Sequence, residues 1–118
     1  MSSELPPQIQ NQIAQLQQIQ QQAQALAVQK NQVEITLKET ELALSELEKL
    51  EDDAVVYRAI GDLMIKTGRD KTKEALVEKK DTLTLRVQTL VRQEERIQKR
   101  FQQLQEQLKQ ASGTPAAQ

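Results

Sequence analysis

One apolar stripe at heptad spacing occurs twice in this chain, and the second copy reads backwards against the first. The first runs Leu5, Ile9, Gln12, Leu16, Ile19, Ala23, Leu26, Lys30, Val33, Leu37, Thr40, Leu44, Leu47. The second runs Leu76, Lys80, Leu83, Val87, Leu90, Glu94, Ile97, Phe101, Leu104, Leu108, Ala111. Both alternate steps of three and four without a break, which keeps the residues on one seam of an α-helix. If the chain folds back near Gly61, the stripes meet layer by layer: Leu47 faces Leu76, Leu37 faces Val87, and Leu26 faces Ile97. In each pair the residue numbers sum to about 123 or 124, so one register serves both stripes. The interruptions coincide as well. Lys30 falls opposite Glu94, and small Ala23 opposite bulky Phe101. The pattern predicts a mainly α fold: a long antiparallel two-helix coiled coil.

The ends of the stripes do not match. Ala111 closes the second stripe opposite Gln12, so Leu5 and Ile9 have no partner across the seam, and Ile13 lies beside them. Burying a Leu or Ile stabilises by roughly 1.5–3 kcal/mol, which these residues forgo within the chain. Two readings stand side by side: a frayed terminus with incidental hydrophobes, or apolar surface held for another molecule.

Composition agrees with a coiled coil. The 118 residues make one domain at most, and aromatics are only 2%. A globular core of that size draws on more than one Phe and one Tyr. The absence of Cys excludes a disulfide framework and thiolate metal sites. A net charge of −1 argues against nucleic acid as a partner. Lys and Arg between Lys79 and Arg100 are interleaved with Glu78, Asp81, Glu94 and Glu95, the pattern of a solvated helix face. No apolar run of membrane-spanning length and no signal peptide occur, so no membrane partner is expected and a cytoplasmic location is the default.

A leader with Pro6 and Pro7 precedes a first helix expected over 8–50, which Glu51, Asp52 and Asp53 would stop by opposing the helix dipole. Asp70, as N-cap, would open a second helix over 70–111, and residues 112–118 read as a loose, flexible tail.

Between the helices, at 54–67, the periodicity changes. Val55, Val56, Tyr57, Arg58, Ala59 and Ile60 precede Gly61-Asp62, and Leu63, Met64, Ile65, Lys66 and Thr67 follow. Gly followed by a polar residue suits a two-residue type II′ turn, which makes one β-hairpin. The expected register pairs Ile60 with Leu63, Arg58 with Ile65 and Val56 with Thr67. Both faces hold apolar residues and the chain has no second sheet to cover them. A lone hairpin is marginal in water, and its edges are open to pairing. Other subunits are therefore expected to cover it; the alternative is a merely hydrophobic connector.

Chemistry is nearly absent from the sequence. There is no His and no Gly-rich phosphate loop, and Ser2, Ser3, Ser45 and Ser112 have no base to activate them. Adjacent carboxylates at Glu51–Asp53 lack the looped oxygen set that a cation needs. No enzyme, cofactor or metal site is expected.

Two matched helices and one hairpin carry three informative stretches: Asp53-Ala54-Val55-Val56-Tyr57, Ile60-Gly61-Asp62-Leu63-Met64-Ile65-Lys66 and Arg92-Gln93-Glu94-Glu95-Arg96. Over about 5–112 the chain resembles the β-subunit branch of the prefoldin (GimC) family, in its archaeal form. The α-type has two hairpins, and the roughly 20 residues here have room for one. The resemblance implies a hexamer of two prefoldin α subunits and four β subunits, whose hairpins join into a double β-barrel body. The coiled coils would hang from that body, hold unfolded client proteins at their tips, and pass them to a group II chaperonin without ATP. Carried over, assembly falls to Val55, Val56, Tyr57, Ile60, Leu63, Met64 and Ile65. The client-binding tip falls to Leu5, Ile9, Ile13, Leu16, Phe101, Leu104 and Leu108; Phe101 and Leu104 are its weakest members, having seam partners in Ala23 and Ile19. The function implied is an ATP-independent holdase. The alternative class is a coiled-coil scaffold or tether with one specific protein partner.

Overall fold

The computed structural model describes residues 5–111 and 113. The order is α1 (Pro7–Glu48), β1 (Val55–Ile60), β2 (Leu63–Gly68) and α2 (Arg69–Ala111). These bounds lie within two residues of those the sequence suggests. Apart from Gly113, the expected tail at 112–118 lies outside the described residues, as do residues 1–4 of the leader. The chain divides into two units. One contains the described residues up to Lys30 together with those from Thr89 onward, and the other is Asn31–Gln88. Both helices contribute to both units.

In the first unit α1 starts at Pro7, where the missing N–H is no loss and the fixed φ suits the helix. The Gln10 amide donates to the Pro6 carbonyl at 3.0 Å, and Gln10 Nε2 donates to the Leu5 carbonyl at 2.8 Å. Ile19, Leu90 and Leu104 are buried here. The other seam positions of this unit are half-buried, except Leu5 and Ala111, which are exposed. Lys30 Nζ donates to Glu94 Oε1 at 2.8 Å, so the two charged interruptions do share a layer. Gln12 is less well accommodated: its Oε1 is buried with no hydrogen-bond partner among the described residues. At the far end of α2, Gly113 has φ 70°, a left-handed conformation that Gly adopts without a Cβ clash, and its N–H donates to the Gln110 carbonyl at 3.2 Å.

In the second unit the seam continues through buried Thr40, Leu44 and Leu47. Thr40 tolerates burial because its Oγ1 donates to the Thr36 carbonyl one turn earlier, at 2.8 Å. Lys80 and Glu41 link the helices at 3.8 Å. α1 ends at Glu48, ahead of the acidic triplet that was expected to stop it. The Lys49 and Leu50 amides tighten onto the Glu46 and Leu47 carbonyls, and Glu51–Ala54 form the turn that follows. Asp70 sits inside the first turn of α2 rather than at its N-cap. Its carboxylate is still favourable near the positive end of the helix dipole.

The hairpin belongs to this unit and has the expected register: Val56 pairs with Thr67, Arg58 with Ile65, and Ile60 with Leu63. Gly61 has φ 57° and no non-Gly residue among the described residues has positive φ, the signature of a type II′ turn with its first central residue left-handed.

Candidate functional site

Two apolar surfaces are left uncovered within the chain, one in each unit. The first is an open groove of about 780 Å³ at the start of α1 and the end of α2. Leu5, Ile9, Ile13 and Leu16 line it from the first helix end, and Leu108 from the second. Ile9, Ile13 and Leu16 recur at i, i+4 and i+7, so one face of α1 presents them together. Ile13 widens the seam into a surface, because it lies beside the heptad stripe rather than on it.

Five of the seven residues carried over as a client-binding tip therefore converge on one groove. Phe101 and Leu104 do not line it. Leu104 is only 6% exposed and Phe101 is half-buried, so both belong to the seam. The heptad position of each decides this, since a layer partner is available at Ile19 and Ala23. The opposite wall was not anticipated from the sequence. It consists of Gln102, Gln105, Glu106 and Lys109, which share one face of α2 by their three- and four-residue spacing. That spacing was legible, but in a Gln-rich chain it did not stand out.

The second surface is the hairpin. Val55, Tyr57, Ile60, Leu63, Met64 and Ile65 are all exposed, with Tyr57 at 60% and Met64 at 68%. Val56 alone of the seven assembly candidates is half-buried.

Arg69, which no motif singled out, fastens the base of the hairpin. Its side chain is 12% exposed and its Nε donates to the Leu47 carbonyl at 3.0 Å, a second bond to an acceptor in the last turn of α1 that the Leu50 amide also uses. One of its terminal nitrogens reaches Asp52 at 3.3 Å and Asp70 at 3.0 Å. The acidic turn is thus a partner for Arg69. Among the described residues no three His, Cys, Asp or Glu side chains gather as a metal set. No helix of the described residues is long and apolar enough to cross a membrane.

Residues 10–114 match the family model described as prefoldin subunit. The chain belongs to the prefoldin family. It is 68% identical over 114 residues to the prefoldin subunit beta of Methanococcoides burtonii, covering 97% of each chain. It is 62% identical to that of Methanosarcina acetivorans, covering 98% of this chain and 99% of the other. The crystal structure of the prefoldin beta subunit from Thermococcus strain KS-1 superposes with a TM-score of 0.85 at 41% identity, covering 93% and 96% of the two chains. One hairpin between two coiled-coil helices is the β-type arrangement, and this chain is a prefoldin chaperone subunit of that type that works in a complex with other subunits.

Proposed function

We propose that this chain holds non-native polypeptides in the groove at its helix ends and delivers them, without ATP, to a group II chaperonin. The observation that carries the reading is the groove itself: five apolar side chains gathered at a helix end, Leu5 exposed and the other four only half-buried within the chain. Apolar surface of this kind on a water-exposed protein marks an interaction site, and unfolded chains are rich in the matching surface. Assembly runs through the hairpin, with Val55, Val56, Tyr57, Ile60, Leu63, Met64 and Ile65 covered by neighbouring subunits. The complex is a hexamer of two α and four β subunits with the hairpins closed into a β-barrel body, and it works in the cytoplasm. Several grooves then act on one client, so weak individual contacts multiply into firm retention.

The experiment mixes the chain with an α-type prefoldin subunit and measures mass and suppression of client aggregation in the same samples. Hexamer mass together with suppression of several unrelated clients is the expected result. Suppression restricted to one protein sinks the reading in favour of a tether.

A further inference from the structure

The groove is built asymmetrically, and the asymmetry bears on which part of an unfolded chain it grips. Its apolar lining comes chiefly from α1, while the α2 wall offers two primary amides, Gln102 and Gln105, and one charge of each sign, Glu106 and Lys109. A primary amide carries an acceptor oxygen and N–H donors, the counterparts of what a peptide group presents. In a folded protein those peptide groups are already paired internally. In a non-native segment they are not. We infer that the groove recognises the backbone as well as the side chains of an extended, alternately apolar segment, with Gln102 and Gln105 exchanging hydrogen bonds with its peptide groups. The inference rests on the client-binding reading of this groove.

Spacing supports the extended form. Ile9 and Ile13 lie one turn apart, about 6 Å along α1 at ~1.5 Å per residue. Same-face side chains of an extended chain recur about every 6.4–6.8 Å, so they seat to either side of Ile13 over two or three repeats. Gln102 and Gln105 lie about 4.5 Å apart along α2. In the register that sets Lys30 against Glu94 they stand inward of Leu16. An extended segment running inward from Ile9 therefore meets them roughly 15–20 Å on, after about three same-face repeats. A helical client would leave both amides idle, because its backbone groups are satisfied along its own axis. Charge points the same way. The wall's two charges cancel, which matches a neutral, dipolar chain and offers an ionic ligand no net counter-charge.

The test uses the assembled complex and a dye-labelled ten-residue peptide alternating Leu and Ser, read by fluorescence anisotropy. A second peptide has the same side chains but N-methylated backbone amides. The methylated peptide is expected to bind about tenfold more weakly, the effect of losing a pair of hydrogen bonds. Gln102→Met with Gln105→Met keeps side-chain length and helix propensity. It should weaken the parent peptide about tenfold and the methylated peptide less, since the two changes remove the same bonds. An apolar groove indifferent to backbone gives the opposite sign, because Met adds apolar area. Unchanged or tighter parent binding in the Met pair overturns the inference, as does equal binding of the two peptides; either leaves the client-binding reading intact. Wild-type peptide binding by Ile9→Ser with Ile13→Ser removes both.

Discussion

The hairpin and the terminal groove both expose apolar side chains, yet they are built for different kinds of contact. The hairpin is apolar on both faces, fixed in register by paired strands, and flanked by open backbone edges. Such a surface has one shape and accepts a partner that completes the sheet. In the groove, the α1 wall is apolar and the α2 wall sets long polar side chains around Leu108. It has no strand edge. Apolar surface is common to the two; paired strands with open hydrogen-bonding edges belong to the hairpin alone, which on the proposed function is the difference between an assembly surface and a tolerant one.

The largest effect should come from the rigid surface. Ile60→Asp with Ile65→Asp places carboxylates on the hairpin and is expected to abolish the assembled complex, measured by light scattering after gel filtration. Helical circular dichroism should stay near that of the parent, because both side chains are exposed and lie outside the heptad stripes. A double variant of full complex mass would erase the distinction between the two regions.

The groove should respond without loss of assembly. Leu5→Ser, Ile9→Ser and Ile13→Ser together remove apolar surface without opening a cavity. An intact complex with at least tenfold weaker binding of unfolded client is the expected outcome, and each single change should do far less. Dissociation of the triple variant would make these residues structural and move the groove into the same class as the hairpin.

Smaller effects test how each unit is held. Arg69→Ala leaves the Leu47 carbonyl with only the Leu50 amide and frees Asp52 and Asp70. A loss of about 2 kcal/mol is expected from charged hydrogen bonds at so buried a group, read by urea unfolding. Arg69→Lys should recover only part of it, since an ammonium cannot reproduce the guanidinium fork.

In the first unit the Lys30–Glu94 layer is 27% and 28% exposed, enough to screen much of its attraction. Lys30→Leu with Glu94→Leu should raise stability by about 1 kcal/mol, while either change alone is less favourable because it strands a charge. Thermal melts that add within error would mean that the pair is not coupled. Gln12→Leu, which removes a buried acceptor without a partner among the described residues, should stabilise by about 1 kcal/mol.

Most of the fold was legible because a coiled coil writes its contacts into its own periodicity. Steps of three and four mark the seam, a single register follows from matching two stripes, and Lys30 opposite Glu94 confirms it at 2.8 Å. The hairpin register was equally readable, since Gly61 sets the turn and a two-residue loop leaves one pairing. The helix ends were less so. Charge at Glu51–Asp53 suggested where α1 stops, but backbone bonding tightens it at Glu48 before the carboxylates begin.

Heptad arithmetic also showed which apolar residues lack a seam partner, because pairing across a coiled coil depends on sequence position alone. Tertiary structure decided what position could not express. It separated Leu108, which lines the groove, from Leu104, which is buried one turn away. It set two glutamines on the α2 wall of the groove, and it brought Arg69 onto Leu47, 22 residues distant. Side chains meeting across two chain segments depend on the direction each takes from its own backbone. Local periodicity carries none of that information.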